Sequence, residues 1–125
     1  MRTHKVLLII FAMSIFLWQC GENPLGAGME NEVEIEILSN RFNPSTVTIA
    51  SGTKVIWVNK DSKPHSVDPG TLMNPTQDFE GSPNILPNDP PWSKTFTKIG
   101  PINYYCVIHQ PIKQGTIIVQ QSAFY

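Results

Sequence analysis

From Glu32 the chain alternates: Val33, Ile35 and Ile37 share one face, and Glu32, Glu34 and Glu36 share the other. That is the period of two expected of a strand buried on one side, with the glutamates as its solvated face. Thr46 to Ala50 and Lys54 to Asn59 are two further runs rich in β-branched and aromatic residues, and Ser51-Gly52 between them marks a hairpin or a tight corner. Lys94 to Lys98, Ile102 to Cys106 and Thr116 to Gln120 predict three more strands, with breaks at Gly100-Pro101 and Gly115. No stretch carries the period of an amphipathic helix. Several short strands in about 100 residues predict an all-β domain over 32–125, an antiparallel β-sandwich with Greek-key connections. Trp57, Phe96, Tyr104 and Tyr105 lie on these strands and are expected to fill the space between its sheets.

Two stretches fall outside the pattern. Between Asp68 and Trp92 lie six prolines (Pro69, Pro75, Pro83, Pro87, Pro90 and Pro91) and neither period. A stretch of that length inside a compact domain is more often functional or partner-facing than filler. At the amino terminus Arg2 and Lys5 precede an apolar run from Val6 to Trp18 that only Ser14 interrupts. This is the layout of an export signal, assigned to 1–19, and the run is shorter than the roughly 20 residues of a membrane-spanning helix. Cys20 follows directly, in Leu17-Trp18-Gln19-Cys20-Gly21, which resembles the lipobox of bacterial lipoproteins, although Trp18 and Gln19 are bulkier than the residues usual there. The resemblance implies an exported protein, periplasmic or otherwise extracytoplasmic, held to the membrane by a lipid on Cys20. Residues 20–31, rich in Gly, Asn and Pro, read as the tether.

At 125 residues the chain has room for one domain. Nine Lys+Arg stand against ten Asp+Glu, with no run of five like charges, which excludes the footprint of a nucleic-acid binder and a basic membrane-surface patch. Loss of Arg2 and Lys5 with the signal leaves the working protein mildly acidic. Two cysteines, Cys20 and Cys106, are too few for a disulfide framework. The expected state is a monomer.

The candidate chemistry sits in two histidines and a cysteine. Apart from His4 in the signal, the histidines are His65 and His109, the latter three residues after Cys106. Taken singly, a turn histidine is ordinary surface and a strand-end cysteine a small buried hydrophobe. Together, a thiolate and two imidazoles form the core of a blue-copper site, where soft sulfur and borderline nitrogen suit both copper oxidation states. Cys106 closes a strand and His109 sits in the loop beyond it, while His65 follows the strand Lys54 to Asn59 after the turn Lys60 to Pro64. Two strand ends meeting at one pole of a sandwich bring the three donors together without the metal organising the fold. Ser66 is placed either to hydrogen-bond across to the Cys106 loop and tune its sulfur, or to serve as an ordinary turn hydroxyl. Met29 and Met73 are too scattered for a Cu(I) cluster.

At these residues the chain resembles the cupredoxins, the plastocyanin and azurin family. The matching segments are Phe42-Asn43-Pro44 to Ile49 with Gly52, then Val55-Ile56-Trp57-Val58-Asn59 leading to His65-Ser66-Val67, then Tyr104-Tyr105-Cys106-Val107-Ile108-His109 through Gly115-Thr116-Ile117-Ile118-Val119. The resemblance implies one mononuclear type 1 copper held by His65, Cys106 and His109 in an electron carrier, not an enzyme. It further implies docking of redox partner proteins at the His109 edge, among Val107, Ile108, Pro111 and Ile112. The departure is the fourth ligand, for which that family usually has a methionine. Counting from Cys106 at plastocyanin-like spacing lands on Gln114, at amicyanin-like spacing on Ile112, and counting back from Gly115 lands on Lys113. Gln114 is the expected ligand, because an amide oxygen is a recognised weak axial donor, the ammonium of Lys113 a poor one, and Ile112 would leave three-coordinate copper. The missing methionine keeps open an alternative function, copper delivery or storage without redox cycling. A metal-free adhesion sandwich would instead use the 68–92 stretch. A hydrolytic Cys-His enzyme lacks a recognisable orienting carboxylate and oxyanion arrangement.

Overall fold

The computed structural model describes residues 31–109 and 113–122. The expected signal, Cys20 and its tether up to residue 30, and Pro111 and Ile112 of the expected docking edge lie outside them. Among the described residues nine strands form: β1 (Glu32–Ile37), β2 (Phe42–Asn43), β3 (Thr46–Ala50), β4 (Thr53–Asn59), β5 (Asp68–Thr71), β6 (Asn74–Pro75), β7 (Trp92–Phe96), β8 (Gly100–Tyr105) and β9 (Gln114–Gln120). They build two sheets, ordered β2-β1-β4-β7 and β3-β9-β8-β5-β6. This is the expected all-β sandwich.

Its pairing is more mixed than the expected antiparallel one. β1 runs parallel to β4, and β3 runs parallel to β9. The reason lies at Ser51-Gly52, which is a corner and not a hairpin. The backbone N–H of Ser51 donates to Gln120 O at 2.7 Å and that of Gly52 to Phe96 O at 2.8 Å, so the chain passes from one sheet into the other at this point. Gly52 has φ 93°, a left-handed conformation that glycine adopts without steric cost. Because β3 and β4 go to different sheets, each finds a like-directed neighbour.

Alternate positions supply the core, as the period of two demands: Ile35 and Ile37, Val47 and Ile49, Val55 and Trp57, Ile102 and Tyr104, Ile117 and Val119 are all buried. The four aromatic residues expected inside are inside. The Trp57 ring lies 5.5 Å from that of Tyr104 and 6.2 Å from that of Phe96, both edge-on. Tyr104 in turn meets Phe42 edge-on at 4.7 Å.

The proline-rich stretch is not an open loop. β5 and β6 lie within it, and Phe79 and Ile85 join the core. His65 and Ile85 exchange both backbone hydrogen bonds, at 3.1 and 2.8 Å. Val67 O accepts from Ser82 N at 2.9 Å, and Val67 N donates to Ser82 Oγ at 2.8 Å. The segment therefore clamps residues 65–67, which contain the first candidate ligand.

Gly115 has a different constraint. A Cβ there would collide with the Tyr104 phenol, and that ring, fully buried between Phe42 and Trp57, has nowhere to withdraw. Gly115→Ala is expected to lower the unfolding free energy by about 1–3 kcal/mol through overpacking. Chemical denaturation checks this, and an unchanged midpoint would show that Tyr104 is not clamped.

Candidate metal centre

The end of β4 builds the first arm of the site. Asn59 Nδ2 donates to Lys63 O at 2.8 Å and Ile85 O at 2.9 Å, while its Oδ1 accepts from Asp61 N at 2.9 Å. The Asn59–Asp61 bond closes an Asx-type turn, and Asp61 Oδ1 accepts from Ser62 N at 2.8 Å. These bonds aim the other carboxylate oxygen of Asp61 at His65 Nε2, 2.8 Å away. With its proton on Nε2 facing Asp61, the imidazole turns the lone pair of Nδ1 toward Cys106, whose Sγ is 3.7 Å away.

The second arm is the β8–β9 hairpin. Cys106 follows β8 directly, and its N–H donates to Lys113 O at 3.0 Å just before β9 begins. The sulfur accepts from Ser66 N at 3.4 Å, and Ser66 Oγ lies 3.9 Å from it. Val107 N donates to Ser66 Oγ at 3.3 Å. Ser66 thus bridges the two arms, its hydroxyl bonded across to the Cys106 loop.

Together the arms gather three donors. One ligand atom each from His65, Cys106 and His109 lies within 4.8 Å of the others. His65 and Cys106 are buried, at 1% and 0% exposure, and His109 is half-buried, its ring 4.8 Å from that of His65. His109 Nδ1 is buried without a hydrogen-bond partner, an orphan of the kind that marks an absent ion or water. One sulfur and two imidazole nitrogens, one of them unsatisfied, fit copper.

The charges around His65 oppose one another. Burial pushes its pKa below the ordinary value, Asp61 raises it, and the Lys113 cation lowers it again. The hydrogen bond from His65 holds the Asp61 carboxyl below the usual range. Burial also lowers the pKa of Lys113, against the pull of Cys106.

The expected fourth donor, Gln114, is not brought to these three. It is an exposed residue of β9 with the parity of Thr116 and Ile118, whereas Lys113 shares the inward parity of Gly115, Ile117 and Val119. Lys113 is 2% exposed, and its Nζ lies 2.7 Å from His65 Nδ1 and 3.1 Å from Nε2. Asp61 was also missed. Its signal, a carboxylate four residues before a candidate ligand in a tight turn, was readable in the chain. Val107 and Ile108 are exposed beside His109, at 54% and 36%.

A family model described as a cupredoxin-like domain matches residues 7–119. Amicyanin-alpha of Methylorubrum extorquens is 29% identical over 87 residues, which cover 70% of this chain and 71% of that protein. Amicyanin of Paracoccus versutus is 29% identical over 101 residues, 79% of this chain and 74% of that one. Among solved structures, a purple cupredoxin from Nitrosopumilus maritimus superposes with a TM-score of 0.61 at 24% identity, over 70% of this chain and 99% of its own.

Because the pKa of His65 is lower in the folded protein than the ordinary 6.5, the unfolded chain takes up this proton first as the pH falls. The stability tied to a neutral His65 is therefore full above that value and is lost on acidification below it. The denaturation midpoint of the metal-free protein is expected to fall between about pH 7.5 and about pH 5, and His65→Gln should remove much of the slope. A slope unchanged in that variant would assign the effect to other groups.

Proposed function

Because the chain belongs to the cupredoxin-like family, we propose that it is a blue-copper electron carrier, passing single electrons between redox partner proteins outside the cytoplasm. The observation that carries this reading is the convergence of His65, Cys106 and His109 on one buried point. Copper bound there supplies a one-electron couple.

Each residue has a distinct task. Asp61 keeps the proton on His65 Nε2, so that Nδ1 is the ligating atom. The Ser66 N–H donates to the Cys106 sulfur and holds it in place beside His65. The sheets and the clamp at Ile85 hold both arms, so the donors are positioned before metal arrives and move little when its charge changes. Half-buried His109, beside exposed Val107 and Ile108, is the exit for the electron and the centre of a small apolar docking face. Brief, weak electron-transfer encounters suit a face of that size. No bond of a partner is made or broken. Export, a lipid on Cys20 and a monomeric state complete the reading, and these rest on the sequence.

Addition of Cu(II) is expected to give an intense thiolate-to-copper absorption band that Cys106→Ser abolishes, together with a reversible one-electron wave in voltammetry. Tight Cu(I) binding without such a wave would favour delivery or storage. Asp61→Asn is expected to weaken copper binding by about 10- to 100-fold, as for other groups that orient a ligating histidine. Competition with a chelator measures this, and unchanged affinity would show that Asp61 does not orient His65.

A further inference from the structure

We propose that Lys113 is the fourth donor of this site, its side-chain amine binding copper alongside His65, Cys106 and His109. The inference rests on the copper reading above and names a residue of a type that reading does not require.

Its placement is the first argument. Lys113 has the inward parity of β9, and its backbone carbonyl is bonded to Cys106 N, so ligand and lysine are held across one rung of the hairpin. Its side chain is buried, with Nζ within 3.1 Å of both nitrogens of His65. The two ring nitrogens point apart, so an atom this near to both lies along the lone pair of neither. Nζ therefore sits against the ring, nearer Nδ1 but off the axis of its lone pair. His65 and Lys113 can then address a common third atom.

The second argument is charge. Among the described residues no carboxylate lies within 4.0 Å of Lys113, the ion pairs there being Lys54 with Glu32, His65 with Asp61 and Lys98 with Asp78. A buried ammonium without a counter-ion is costly. An amine that gives its lone pair to a metal cation, releasing its proton to solvent, escapes that cost and satisfies the buried nitrogen. An aliphatic amine is a harder nitrogen donor than imidazole, and so suits Cu(II) better than Cu(I). Three nitrogens and one sulfur favour Cu(II) more than two nitrogens, a thiolate and a soft thioether do, so Lys113→Met is expected to raise the reduction potential.

The test uses the full protein made with nitrogen-15-labelled lysine, loaded with Cu(II) and examined by pulsed electron paramagnetic resonance. The expected result is a coupling from lysine nitrogen in addition to the imidazole nitrogens, lost in Lys113→Met while the thiolate-to-copper band remains. A wild-type protein with that band but without lysine coupling overturns the proposal and leaves the copper reading intact. A coupling that survives Lys113→Met overturns it as well, by assigning the donor to another lysine. Absence of the thiolate band in the wild-type protein would overturn the copper reading, and this proposal with it.

Discussion

The structure turns on the ring of Tyr104. It belongs to β8 in one sheet, meets Phe42 of β2 and Trp57 of β4 in the other, and covers Gly115 of its own neighbour β9. Sheet separation and the seating of β9 against β8 are therefore set by one fully buried side chain. Burial raises its pKa far above the ordinary range of a phenol, so it stays neutral at any pH the protein meets. Cys106 lies two residues further along the same strand direction. Its sulfur inherits a position that the core has already fixed.

The other arm reaches the same point by different means. β4 ends at Asn59, and from there hydrogen bonds replace sheet pairing: Asn59 ties the turn to Ile85, Ile85 pairs with His65, and Ser82 pairs with Val67. A histidine in a free turn would sample several rotamers. Here both its backbone N–H and its carbonyl are bonded to Ile85, and its ring is fixed by Asp61 at Nε2 with Lys113 packed against the ring. The proline-rich stretch gains its purpose from this clamp. Prolines limit the conformations open to it, so closing it over His65 costs less chain entropy than a flexible segment of equal length would.

Much of this was legible in the chain, and the failures have physical causes. β1, β3, β4, β7, β8 and β9 announce themselves by alternation and by β-branched residues, and the three donors by residue type and spacing. β5 and β6 do not, because Asp68-Pro69-Gly70-Thr71 and Asn74-Pro75 have no intrinsic preference for a strand. They form because β8 offers an edge and because Gly70, at φ 96°, lets the backbone of Asn74 to Thr76 approach where a Cβ would collide. The parallel pairings were hidden for a related reason, since they depend on which sheet each strand joins. Gln114 has the donor chemistry, while the parity of Ile117 and Val119 turns Gln114 outward and Lys113 inward. Period two is the stronger constraint: moving one residue along a strand turns a side chain to the opposite face.

The site can thus be treated as two bodies. Cys106 follows β8, Lys113 precedes β9, and a backbone hydrogen bond joins them, so a distortion of the hairpin carries both together. His65 belongs to the clamped arm and moves with β4 and Ile85. What relates the bodies is Ser66, next to His65 in the chain, whose backbone N–H bonds to the Cys106 sulfur and whose hydroxyl accepts from Val107 and donates to Asp68 at 2.5 Å. A change within either body alters the tuning of individual donors, whereas a change at Ser66 alters the distance between them. Since that distance decides whether nitrogen and sulfur can share one ion, Ser66, together with the β5–β8 pairing that follows it, sets the geometry of the centre while contributing no ligand to it.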